Sequence, residues 1–195
     1  MKSDLILTIY KLPETVFTVN QLSQLFPELS YARLKDRLFY FTKVGKLQRL
    51  RYGLYAKTDY NPLEVANKLY KPSYISLETV LFKKAVVFQY YETIFAVSYL
   101  TREVQVGEQT IQYRRMKREV LTDLSGIEEK EGYFIASVER AFLDAIFLYK
   151  DYHFDNLGGV DWEKVHELKT IYESKVFEKR VEDYYRDYKE DYGKS

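Results

Sequence analysis

A chain of 195 residues, 46% hydrophobic and with a formal net charge of +1, is long enough to bury one substantial core or two small ones. It has no cysteine, which excludes disulfides, a thiol nucleophile, thiolate zinc sites and iron–sulfur clusters, and only His153 and His166 could supply imidazole. No window approaches the roughly eighteen uncharged apolar residues of a membrane span, and the N-terminus lacks the basic and apolar regions of a signal peptide, so a cytoplasmic chain with no membrane partner is expected.

The small net charge hides an uneven distribution. Residues 1–57 hold ten Lys and Arg against four Asp and Glu, while the remainder holds twenty against twenty-five. A basic opening segment followed by an acidic one suggests a module that meets nucleic acid, joined to a domain with another task.

In chain order, Leu5, Ile6, Ile9 and Tyr10 recur at helical spacing after a cap at Ser3, and Pro13 stops the helix, which spans Ser3 to Leu12. Thr18 and Gln21 form a capping box with Phe17 and Leu22 as its hydrophobic staple, so a second helix starts at about Val19 and ends by Pro27. Ser30 caps a third, running to about Val44. Its apolar stripe is Tyr31, Leu34, Leu38 and Phe41; on the opposite side Arg33, Arg37, Tyr40 and Val44 fall within about 60° of one another, flanked by Asp36 and Lys43.

Gly45 ends this helix, and "KLQRL" and "LYAK" alternate as strands around "RYG", where Gly53 supplies the positive φ of a tight hairpin. Three helices and a hairpin is the order of a winged helix-turn-helix, whose third helix enters the major groove. Asn61-Pro62-Leu63-Glu64 then starts a helix to about Tyr70, and a boundary at about residue 60 separates a DNA-binding domain, 1–60, from a second domain, 61–195.

In the second domain "SLETVLFKKAVV" reads as a helix from Ser76 and "TIFAVSYL" as a strand from Thr93. "EVQV" and "TIQYRRM" form a hairpin about Gly107-Glu108, and "GYFIAS" is a further strand. Helices follow over Ser137 to about Tyr149, Asp161 to about Tyr172 and Ser174 to about Tyr188. The expected fold class is α+β, a winged helix-turn-helix followed by a mixed domain with a small antiparallel sheet and several helices. In the last helix Phe177, Val181, Tyr184, Tyr188 and Tyr192 form a narrow apolar seam that serves either the chain's own core or a partner's groove.

Placement of the cations supplies the candidate DNA contacts. Arg33 and Arg37, one turn apart, can both reach a groove and bond guanine edges, with Tyr40 on the same face. Lys43, Lys46, Arg49, Arg51 and Lys57 can meet phosphates, which position without reading sequence. Tyr52 at the hairpin tip can pack on sugar or enter the minor groove. For each residue alone the competing reading is a solvated side chain. Arg114, Arg115, Lys117 and Arg118 make a second basic patch, either a further nucleic-acid contact or a solvated strand edge.

Catalytic chemistry is not indicated. "HELKT" has Thr170 where a zinc protease needs its second histidine, and the glycines open no phosphate loop. Glu139 and Asp144 point about 140° apart, which disfavours a carboxylate pair, and Arg140 with Asp144 is a helical ion pair. No catalytic residue, cofactor or metal is expected, and the protein is expected not to be an enzyme.

Three stretches together resemble the AbiEi-type antitoxins of bacterial toxin–antitoxin systems: the G-x-L-x-R-L-x-x-G-L-Y hairpin, Gly45 to Tyr55, with "YNPLEVANKLY" after it; "SYISLETVL", Ser73 to Leu81; and "IASVERAFLDAIFL", Ile135 to Leu148. Their order and separation match over most of the chain. The resemblance implies a winged helix-turn-helix that binds operator DNA and represses its own operon. It implies too a C-terminal domain counteracting a nucleotidyltransferase-like toxin in an abortive-infection system, without a stable complex. After "SLETVL" the family commonly has a small residue, His and Gly; here the chain reads Phe82-Lys83-Lys84-Ala85, so no role of that histidine carries over. The alternative is a transcriptional regulator whose C-terminal domain senses a ligand or partner and has no antitoxin role.

Overall fold

The computed structural model describes residues 5–192, and the expected cap at Ser3 lies outside them. The chain opens with α1 (Leu5–Lys11), β1 (Val16–Thr18), α2 (Val19–Leu25), α3 (Tyr31–Lys43), β2 (Gln48–Arg51) and β3 (Leu54–Ala56). The caps are those written in the sequence. Thr18 Oγ1 accepts from the Gln21 amide while Gln21 Oε1 accepts from the Thr18 amide, and Ser30 Oγ accepts from the Arg33 amide. At the end of α3 the amides of Gly45 and Lys46 turn back to the carbonyls of Thr42 and Phe41, which closes the helix and aims the chain into β2.

Sequence reading did not find β1, whose three residues are too few to show alternation. It completes an antiparallel sheet of order β1-β3-β2. Alternate residues of this sheet enter different cores. Phe17 and Tyr55 join Leu5, Ile9, Leu22, Leu34, Leu38 and Phe41 beneath the three helices, while Val16, Leu54 and Ala56 join Val65 and Ala66 of α4 (Pro62–Leu69) and the core beyond. Tyr31 does not belong to the apolar stripe of α3. It is half exposed, and Leu34, Leu38 and Phe41 bury that face alone.

Glu64 fixes α4 against the first sheet. Its carboxylate, fully enclosed, accepts from the amides of Thr15 and Val16 at 2.9 Å and from the Thr15 hydroxyl at 2.6 Å. Gly132, in the turn of a later hairpin, sits so close that a Cβ there would lie 2.6 Å from the Glu64 carboxyl. Its φ of +85° also favours glycine.

The second sheet is larger than expected, and mixed. It is built from β4 (Ser73–Ile75), β5 (Ile94–Ser98), β6 (Arg102–Val106), β7 (Gln109–Arg115), β8 (Ile127–Lys130) and β9 (Tyr133–Ala136) in the order β6-β7-β5-β4-β9-β8. Pairs β4·β9 and β5·β7 are parallel and the rest antiparallel. The small antiparallel sheet of the sequence reading is therefore corrected. Two strands escaped it: β4 is three residues long, and β8, "IEEK", carries charge where strands are usually apolar.

Around this sheet lie α5 (Glu78–Lys83), α6 (Arg118–Thr122), α7 (Val138–Tyr149), α8 (Trp162–Leu168), a 3-10 turn (Lys169–Tyr172) and α9 (Lys175–Tyr192). The α9 seam packs inward: Phe177 and Val181 are buried, and Tyr184 and Tyr188 lie 5.8 Å from Phe142 and 5.2 Å from Trp162, ring to ring. The side chain of Tyr192 is outside the described set.

The Arg140–Asp144 pair is present at 3.5 Å and wholly buried. Asp144 accepts from the hydroxyls of Tyr74 (3.2 Å), Ser76 (2.8 Å) and Tyr172 (2.6 Å), while Arg140 donates to the carbonyls of Val120 and Ser125. Burial pushes the Asp144 carboxyl up, opposed by Arg140 and the three hydroxyls. The network ties α7 to β4, α6 and the 3-10 turn, so its role is structural.

Candidate nucleic-acid interface

The basic surface is built on α3 and the β2–β3 hairpin. Leu34, Leu38 and Phe41 anchor α3, and at 100° per residue Arg33, Arg37, Tyr40 and Val44 stand about 95° to one side of them. The sequence reading placed these four opposite the buried stripe. They form a flank instead, with Asp36 and Lys43 on the outermost crest. Arg33, Tyr40, Lys43 and Lys46 are exposed, and Arg37 is half-buried with its guanidinium 6.0 Å from the Phe41 ring.

The other flank of α3 meets the hairpin. Lys35 Nζ lies 3.3 Å from the Tyr52 hydroxyl, 5.2 Å from the centre of its ring and 5.7 Å from that of Tyr31. Arg49 approaches the same Tyr52 ring at 5.5 Å. Tyr52 is 81% exposed, so its place is set by these two cations and not by burial. The hydrogen bond to Tyr52 pushes the Lys35 pKa up. Lys35 was not among the residues singled out from sequence; Tyr31 one turn before it was a signal, but its main partner lies seventeen residues away.

A register shift between Arg49 and Arg51 separates two residues that the sequence reading had grouped. Arg49 pairs with Tyr55, whose side chain enters the core beneath the helices; Arg51 pairs with Leu54, whose side chain enters the other core. Arg49 therefore lies on the α3 side of the sheet and Arg51 on the α4 side. Leu50, at the irregularity, also packs toward the second core. Lys57 also turns inward: its ammonium donates to the carbonyl of Leu12 at 2.6 Å, just past the end of α1.

Lys35, Arg49 and Tyr52 thus form one group, Arg33, Arg37 and Tyr40 a second, and Asp36 and Lys43 lie between. An α-helix is about 10–12 Å across with its side chains, close to the width of about 12 Å of a B-DNA major groove, so both flanks could reach groove walls at once.

The second basic patch is not a strand edge, because β7 lies between β6 and β5. Arg114 turns its guanidinium to the Tyr149 ring at 5.2 Å and Lys117 its ammonium to Phe147 at 5.4 Å, while Arg115 and Arg118 are exposed. Among the described residues no three His, Asp or Glu side chains come together as a metal site, and no helix is long and apolar enough to cross a membrane. No protein-family model matches the chain, and comparison with curated proteins finds no match.

Proposed function

We propose that residues 1–60 form a winged helix-turn-helix that binds operator DNA, and that the chain is an AbiEi-type antitoxin that represses its own operon. The observation that carries the DNA reading is Tyr52, held in the open between Lys35 of α3 and Arg49 of the hairpin, so that helix and wing present one cationic, aromatic surface. The order α1-β1-α2-α3-β2-β3, with sheet order β1-β3-β2, agrees with what a winged domain would require and supports the same reading.

In this account α3 lies in the major groove. Arg33 and Arg37 bond guanine edges, Asp36 on the crest accepts from a cytosine amine, and Lys35, Lys43, Lys46 and Arg49 meet phosphates. Tyr52 packs against the sugar-phosphate backbone. The antitoxin role rests on the resemblance of the three sequence stretches; residues 61–195 would counteract a nucleotidyltransferase-like toxin without a lasting complex.

Two experiments test the two halves separately. A mobility shift on the DNA upstream of the chain's own operon should persist at moderate salt, and its absence would remove the DNA reading. Co-expression with the product of the adjacent gene should relieve growth arrest. Failure to relieve it would favour the regulator without antitoxin activity.

A further inference from the structure

A cleft of about 580 Å³ opens where the parallel neighbours β5 and β7 finish, at Ser98 and Arg115. Met116 and Leu121, both buried, form its floor, with Pro72, Tyr99 and Phe147 around them. Three exposed cations stand on the wall: Arg115 at the end of β7, and Lys117 and Arg118 where α6 begins.

No acidic residue lines this cleft, although acids outnumber bases by twenty-five to twenty over residues 58–195. Glu119 follows Arg118 in α6, but about 100° around the helix from it, and lies off the wall. Among the described residues, Arg115, Lys117 and Arg118 are in no ion pair. Lys117 Nζ is held 5.4 Å from the centre of the Phe147 ring, which itself packs on Tyr172 and Phe177. Tyr99 meets Tyr70 edge-on at 6.4 Å, which orients its ring, and it remains 49% exposed.

Unpaired cations beside an open aromatic ring in a concave wall match a ligand that carries phosphates and flat bases side by side. A duplex keeps the faces of its bases stacked inside and offers phosphates alone. A single strand offers both. We propose that this cleft binds single-stranded nucleic acid, one base stacked on Tyr99 and the adjoining phosphates on Arg115, Lys117 and Arg118. Stacking and charge hold such a strand with little sequence preference. The site belongs wholly to residues 61–195 and does not rest on the operator reading of α3 and the hairpin.

The test is fluorescence anisotropy of the full chain with a labelled oligouridylate of about six nucleotides, a strand that does not pair with itself. Saturable binding is expected. Arg115→Ala with Arg118→Ala should weaken it by about tenfold or more, through lost phosphate contacts. Tyr99→Ala should weaken it by about fivefold or more, the stacking share of one base, while Tyr99→Phe keeps the ring and should bind as the unaltered chain does. Arg33→Ala with Arg37→Ala should leave this affinity in place. Tyr99, Arg115 and Arg118 are exposed, so their variants should keep the fold, which a thermal melt checks. Failure of the unaltered chain to bind would overturn the assignment. So would an equal loss from Arg33→Ala with Arg37→Ala, which would place the strand on the N-terminal module, or full affinity in Tyr99→Ala, which would reduce the site to a phosphate contact.

Discussion

Lys35 Nζ lies 3.3 Å from the hydroxyl of Tyr52 and 5.2 Å from the centre of its ring, a contact that joins the exposed hairpin tip to α3. Tyr52→Ala removes both the ring and the anchor, and should weaken binding to every DNA sequence by about tenfold, the equivalent of about 1.4 kcal/mol. Tyr52→Phe keeps the ring between Lys35 and Arg49 and should retain most of the affinity. Fluorescence anisotropy with a labelled duplex measures both. Equal losses in the two variants would assign the effect to the hydroxyl and not to the ring.

The opposite faces of Arg49 and Arg51 make a sharper comparison. Arg49→Ala should weaken specific and unrelated DNA alike and lower the slope of log K against log salt by about one, the expected loss of one phosphate contact. Arg51→Ala should leave both nearly unchanged, since Arg51 pairs with Leu54 on the α4 side of the sheet. A larger effect at Arg51 than at Arg49 would mean that the protein presents the other face of its hairpin to DNA.

Selectivity should reside on α3. Arg33→Ala with Arg37→Ala should bring the operator down to the affinity of unrelated DNA, each good arginine–guanine pair being worth about 1–3 kcal/mol of discrimination. Asp36→Ala should do something different: it removes a negative charge from the crest, so unrelated DNA should bind more tightly while the operator loses its advantage. Competition titrations with scrambled duplex read both effects, and a double variant that still selects its site would refute the helix assignment.

How far the site could be read from sequence depended on the distance between partners. Local signals were legible: the Thr18–Gln21 capping box, the Ser30 cap, the Gly107-Glu108 hairpin and the i,i+4 pair Arg140–Asp144 all involve residues at most four apart. The cations of α3 and the hairpin were legible as a group, but not their faces. The register shift at Leu50 reverses the side on which Arg51 falls, and nothing in "RLRYG" announces it. Lys57 reads as one more surface cation until α1 places the Leu12 carbonyl beside it. Strands β4 and β8 were hidden because their pairing partners, not their own residues, make them strands.

Glu64 should matter to stability more than a charged residue ordinarily does. Glu64→Ala leaves two amides and a hydroxyl without an acceptor in a closed site and should cost roughly 3–5 kcal/mol, read from urea denaturation. Gly132→Ala pushes on the same carboxyl and also demands a left-handed conformation, so a loss of at least about 2 kcal/mol is expected. If Glu64→Ala unfolds within about 1 kcal/mol of the unaltered protein, the link between α4 and the first sheet is not the one described.

The buried Glu78 gives a pH dependence whose sign is fixed. Desolvation raises its pKa above 4.5, against donation from the Tyr149 and Tyr152 hydroxyls and the charge of Arg114. A carboxyl that is more basic folded than unfolded favours the native state in acid, and that advantage fades as pH climbs from about 4.5 through the raised value. Glu78→Gln should therefore match the unaltered protein near pH 4.5 and be the more stable of the two at pH 8. Denaturation at both pH values tests it, and a difference that shrinks as pH rises would reverse the assignment.

The central claim, that α3 and the hairpin together grip duplex DNA, is tested most directly by titrating the full chain onto the DNA upstream of its own operon at several salt concentrations. With Lys35, Lys43, Lys46 and Arg49 on phosphates, log K should fall against log salt with a slope of about −3 to −4. A slope near zero, or no binding at the lowest salt, would contradict it.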